Sequence, residues 1–157
     1  MRAPLLFAAL ALNVVVAIPT YGQMGGSRGM MQGGGMMGGS MARHRMAMHG
    51  GLPADYAGKK NPLKPSTENL AAGKTLYTQN CAVCHGPKGA GDGEGGKALN
   101  PPPGDLRGLN GMPMASDGFY YWTIAEGGTP TKSAMPPYKS VLKEEDIWKL
   151  VHFLRTL

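Results

Sequence analysis

Eight of the chain's twelve methionines fall between Met24 and Met48, where glycine also clusters. That stretch shows neither a helical nor a strand period, and it holds no large branched or aromatic side chain. It cannot bury enough apolar area to offset the entropy lost on ordering, so disorder is expected there. The next stretch, GLPADYAGKKNPLKP, carries three prolines and no period, which suits a linker. Residues 23–65 therefore read as a disordered Gly/Met-rich tail and linker. Any hydrophobic core has to come from residues 66–157, and a domain that begins there should be indifferent to what precedes it.

The start of the chain reads as a secretory signal over residues 1–22. Arg2 supplies the positive end, and Leu5 to Ile18 form an apolar run broken only by Asn13. Cleavage after Ala17 or Gly22 fits the small residues there. The run is short against the ~20 apolar residues of a membrane-spanning helix. An exported, periplasmic protein is expected, tethered to a membrane only if the signal is retained. Charge divides along the same line. Residues 1–63 carry a net +5 and residues 64–157 a net +1. The basic balance belongs to leader and tail, with no reading helix or stacking platform, so nucleic acid is not an expected partner.

Within residues 66–157 the pattern is helical throughout. Ser66 can cap a helix that shows Leu70, Gly73, Leu76 and Tyr77 on one face and runs up to Cys81. A second helix is predicted over Asp117 to Glu126, with Asp117 as its cap and Gly127–Gly128 as its stop. A third is predicted over Lys143 to Leu157, where Ile147, Leu150, Val151, Leu154 and Leu157 recur at helical spacing. Between these lie a glycine-rich loop, Gly86 to Gly96, a turn with Pro101, Pro102 and Pro103, and a proline-bearing loop, Thr129 to Tyr138. No strand pattern is present. An all-α domain with loops this long makes a poor core unaided, and a large planar apolar ligand at its centre would make up the shortfall.

Cys81-Ala82-Val83-Cys84-His85 supplies the means to hold such a ligand. C-x-x-C-H is the attachment pattern of c-type haem: two thiols add across the two vinyl groups of one haem edge, and the adjacent imidazole binds the iron. The chain has no other cysteine. A disulfide scaffold would need more pairs, a structural zinc site a second ligand pair, and a thioredoxin-like redox pair a βαβ context. The second axial ligand is expected to be Met135, held in the stiff loop Ser133-Ala134-Met135-Pro136-Pro137-Tyr138. Met112, Met114 and His152 are the competitors. The glycine loop lacks the order of a phosphate cradle, and Asp92 and Glu94 supply too few oxygens for calcium.

Taken together, residues 66–157 resemble the class I mono-haem cytochrome c family. The resemblance rests on the helix before the attachment site, the CxxCHG start, the glycine-rich loop, the late Met-Pro-x-Tyr type segment and the terminal amphipathic helix. It implies an all-α fold of orthogonal helices wrapped around one covalent haem c. It implies that Gly73 and Tyr77 pack on Leu150 and Phe153, and that a carbonyl of Pro101, Pro102 or Pro103 accepts the ring N–H of His85. Lys143 departs from the Ser, Thr or Asp that commonly caps the family's last helix.

The expected function is single-electron transfer between redox proteins that dock transiently, either as a free shuttle or as the cytochrome subunit of a larger oxidoreductase. Two other classes compete. A haem enzyme such as a peroxidase would need an open iron position, which Met135 opposes. Copper handling would use the soft thioethers of the tail with His44 and His49.

Overall fold

The structure is a computed structural model that describes residues 38–157, so the expected signal over 1–22 and the first part of the tail, 23–37, lie outside the described residues. Among the described residues the regular structure is helical, and no helix is long and apolar enough to cross a membrane. In chain order the α-helices are α1 (Gly38–Gly50), α2 (Ala54–Ala57), α3 (Thr67–Asn80), α4 (Ala82–His85), α5 (Asp117–Glu126) and α6 (Glu144–Leu154). Short 3-10 turns at Glu94–Gly96, Leu109–Gly111 and Thr129–Thr131 punctuate the loops.

Helices α3, α5 and α6 make the core. Ser66 caps α3 as the sequence suggests, its hydroxyl accepting from the Asn69 N–H. The helix crosses α6 at Gly73, where a Cβ would stand 2.2 Å from the Lys149 carbonyl oxygen. Only a residue without a side chain lets the two backbones come this close. One turn on, the Tyr77 ring lies 5.1 Å from that of Phe153. Tyr77, Ile147, Leu150 and Val151 are the most completely buried large side chains. Tyr121 packs on Trp148 at 4.4 Å between ring centres, which fastens α5 to α6.

Three local expectations are corrected. The cap of α5 is Ser116, whose hydroxyl accepts from the Phe119 N–H, because the Asp117 carboxylate is committed elsewhere. It accepts from the Asn61 N–H and from the Arg155 guanidinium. Helix α6 starts at Glu144 and ends at Leu154, shorter than the predicted span, and Lys143 at its cap makes no side-chain capping bond.

The third correction is larger. The disorder expected over 23–65 does not extend through residues 38–65. Helix α1 forms from Met, Ala and Arg, all good helix formers, set between glycines. Residues 51–65 are laid against the helical core by the apolar side chains of Tyr56 and Leu63 and by polar contacts. Tyr56 donates its hydroxyl proton to Glu126, the Asn61 amide donates to the Trp148 carbonyl at 3.0 Å, and His152 Nε2 donates to the Leu63 carbonyl at 3.0 Å. Residue 66 begins a helix, but the packed body begins earlier in the chain.

Candidate functional site

The attachment turn grows out of α3. Cys81 ends that helix, its N–H donating to the Tyr77 carbonyl, and at the same residue starts the single turn of α4. The His85 N–H closes the turn on the Cys81 carbonyl at 2.9 Å. Two hydroxyls brace it from the core: Tyr77 donates to the Gly86 carbonyl at 2.6 Å, and Tyr138 to the Asn80 carbonyl at 2.7 Å. The glycine-rich loop folds back underneath, with the Gly91 and Gly93 N–H groups on the His85 and Cys84 carbonyls. The two thiols and the imidazole are thereby held on one rigid turn.

The loop that carries Met135 is held by Gly127 and Gly128. Gly127 has φ +54, and a Cβ there would lie 2.3 Å from the Pro136 carbonyl oxygen and 2.6 Å from that of Met135. The Gly128 N–H donates to the Met135 carbonyl at 2.6 Å. The residues that stop α5 thus also close the adjoining loop on itself.

Cys81, Cys84, His85 and Met135 line one cavity, which holds about 920 Å³ of empty space including its open mouth. Leu99, Leu106, Leu109 and Phe119 supply apolar wall. Met112 and Met114, the competing thioethers, do not line this cavity. His152 is instead held on the Leu63 carbonyl.

His85 is prepared for a metal. Its Nδ1 lies 3.1 Å from the Gly104 carbonyl oxygen and donates to it, which fixes the tautomer and leaves Nε2 as a free lone pair. The expected acceptor was Pro101, Pro102 or Pro103. The structure assigns the role to the next residue, because the three prolines line the cavity wall and the chain turns its carbonyl to the ring only after them. Burial lowers the His85 pKa, opposed by the Gly104 hydrogen bond, a shift toward the neutral form that a ligand requires. Burial, reinforced by the neighbouring Cys84, pushes the Cys81 thiol up to about 12.

An apolar cavity with two thiols, a neutral imidazole and a thioether in its wall fits a covalently held haem. Two of its lining residues also carry a buried polar atom with no protein partner, the Thr123 hydroxyl and one guanidinium nitrogen of Arg43. Sequence reasoning missed Gly104, Thr123 and Arg43. The first was one residue beyond the segment singled out, and Thr123 sits among aromatic neighbours on α5. Arg43 lies in a tract that carries no periodic signal.

The family model described as Cytochrome c matches residues 70–157. A search of the curated proteins finds no match. Among solved structures, a chain of the reducing HAO-like protein complex of Kuenenia stuttgartiensis superposes with a TM-score of 0.50 at 26% sequence identity. The match covers 60% of this chain and 46% of that one, so this chain spans about half the length of its structural relative.

Proposed function

Because the chain belongs to the cytochrome c family, whose members bind haem c covalently, we propose that it is an exported one-electron carrier. In this reading it has one haem on Cys81 and Cys84, with His85 and Met135 as its axial ligands. The observation that carries this is the convergence of all four side chains on one largely apolar cavity. The haem supplies a reversible one-electron couple at its iron. The protein's part is to bind, orient and exclude water.

Cys81 and Cys84 fix the position of the ring by covalent bonds. The Gly104 carbonyl, accepting from Nδ1 of His85, would leave Nε2 to hold the iron, and that hydrogen bond raises the basicity of Nε2. The Gly127–Gly128 turn presents the Met135 thioether, a soft ligand that favours Fe(II) and raises the potential relative to a second imidazole. Two protein ligands leave no position for a substrate, which favours electron transfer over peroxidase chemistry. The apolar wall disfavours the extra charge of Fe(III) in the same direction.

Redox partners would dock transiently on a small face of the protein. The likeness to a chain of a multi-protein complex supports the reading of a cytochrome subunit within a larger assembly as well as that of a free shuttle. Export rests on the signal-like residues 1–22.

Ligand substitution tests the assignment. Met135→Ala should abolish the weak near-infrared band of Fe(III)–thioether bonding, lower the midpoint potential and open the reduced protein to carbon monoxide. Met112→Ala should do none of these. The reverse outcome would move the ligand to Met112. In Cys81→Ala/Cys84→Ala, a haem-stained band that survives denaturing electrophoresis would overturn covalent attachment. A fusion of residues 1–22 to a reporter that stays in the cytoplasm would overturn export.

A further inference from the structure

Of residues 42–50 only Arg43 is buried, and it is 5% exposed. Around it Arg45, Met46, Met48 and His49 are open to solvent. Among residues 42–50 Arg43 is the deepest anchor, with His44 and Ala47 half-buried beside it, and it lines the wall of the cavity.

The surroundings of that guanidinium satisfy only part of it. One nitrogen, Nη2, donates to the Gly127 carbonyl, and the guanidinium carbon lies 4.5 Å from the centre of the Trp122 ring. The other terminal nitrogen, Nη1, is buried with no partner. Among the described residues no carboxylate forms an ion pair with Arg43. Glu126 is close enough to influence it, but its oxygens are engaged by Tyr56 and Lys139. Burial consequently lowers the Arg43 pKa to about 10, with Glu126 opposing the shift. A buried guanidinium with an idle N–H and no counter-ion is costly. A carboxylate presented from the cavity would supply the counter-charge and the missing acceptor together.

Haem c carries two propionate carboxylates on one edge, and the chain must place them somewhere along the cavity wall. We infer that Arg43 binds a haem propionate, so that α1 is a strap from the N-terminal tail fastened to the cofactor itself. This rests on the haem reading above and extends it to a segment that precedes the matched cytochrome c region. Planar guanidinium and planar carboxylate match geometrically. The buried Thr123 hydroxyl on the same cavity is a second donor without a protein partner. The strap is then a sensor of haem loading: α1 docks where the carboxylate is present to receive Arg43.

The test uses the full-length, haem-loaded protein and its Arg43→Gln and Arg43→Lys variants. Haem staining and the visible spectrum are read first, and they should be the same in all three. A loss of haem from the unaltered protein would count against the haem reading, whereas differences in potential and proteolysis among the three concern the strap alone. Arg43→Gln should lower the midpoint potential, because removing a positive charge near the iron favours Fe(III). It should also speed tryptic cleavage after the exposed Arg45, as α1 comes off the cavity. Arg43→Lys keeps the charge and should restore most of the potential. An unchanged potential in Arg43→Gln would overturn the inference. So would a fall in Arg43→Lys as large as that in Arg43→Gln, since α1 would then be held by stacking on Trp122 and by the Gly127 carbonyl, with no role for charge.

Discussion

Gly127 is the position at which one added methyl group should separate ligation from folding. Its φ of +54 with ψ −142 is a conformation that only glycine adopts readily, and such strain costs about 1–3 kcal/mol in any other residue. The Cβ of Gly127→Ala would also fall 2.3 Å from the Pro136 carbonyl oxygen and 2.6 Å from that of Met135. Ordinary contact requires the loop backbone to retreat by roughly 1 Å, and overpacking of this kind costs about 1–3 kcal/mol. Together the two effects amount to about 2–6 kcal/mol, placed on the segment that presents the Met135 thioether. The loop lines the cavity and is part of neither α3 nor α6, so it can move without dismantling their contact. With Met135 as the iron ligand proposed above, the cheaper response is for its thioether to withdraw. The assay is the near-infrared thioether band with carbon monoxide binding and the midpoint potential, read beside the melting temperature. Gly127→Ala should mimic Met135→Ala in all three ligation readouts while losing less stability than the full strain implies. Gly108→Ala, where a Cβ would meet nothing within 4 Å, should leave the ligation unchanged. A Gly127→Ala protein with the band intact, no carbon monoxide binding and an unaltered potential would refute the claim that this glycine seats the ligand.

Two further outcomes concern the scaffold. Gly73→Ala gains about 1 kcal/mol in helix propensity, but its Cβ would stand 2.2 Å from a backbone oxygen of α6 that cannot rotate away. Overpacking should prevail, and chemical denaturation should show a net loss of about 1–2 kcal/mol; a stabilised variant would show that the helices slide apart freely. At Asp117, burial raises the carboxyl pKa, but hydrogen bonds from the Asn61 N–H and Arg155, with the charges of Arg155 and Lys60, outweigh it and hold the group below the usual range. A lowered folded pKa stabilises the protein above the ordinary aspartate pKa, and that contribution disappears as pH falls through the folded value. Asp117→Asn should therefore cost about 1–2 kcal/mol near neutral pH, in line with loss of charge-assisted hydrogen bonds. The difference from the unaltered protein should shrink as pH falls below ~4; a constant difference down to strong acid would argue against a charged Asp117.

The parts of the fold legible in the sequence are those that leave a period or a fixed spacing. Ile147, Leu150, Val151 and Leu154 announce α6 because a helix buried on one side must repeat its apolar residues every three or four positions. Cys81, Cys84 and His85 are legible because haem geometry dictates their spacing. Met135, singled out by its proline-flanked loop, lines the same cavity. The cap of α5 slipped by one residue because Ser116 and Asp117 can both cap, and only the distant partners Asn61 and Arg155 decide between them. The carbonyl facing His85 was misplaced for a related reason: three consecutive prolines mark a turn without saying where along it the chain points inward.

The segment over residues 38–63 was not legible at all, and the cause is the manner in which it binds. An apolar segment that packs on a core leaves a stripe in its sequence, since many side chains must share one face. This segment packs through isolated contacts: the apolar side chains Tyr56 and Leu63 on the core, and hydrogen bonds from Arg43, Tyr56 and Asn61 to partners more than fifty residues away in the chain. One hydrogen bond per turn or loop needs no repetition, so composition alone makes such a stretch look like a free tail. The same economy makes its attachment conditional. A face of buried leucines stays docked whatever else is bound, but a helix fastened by one guanidinium stays only while that guanidinium has a partner. Low apolar content before Ser66 is therefore compatible with a segment held at separate points, in which α1 depends on Arg43 while residues 51–65 keep their own contacts through Tyr56, Asn61 and Leu63.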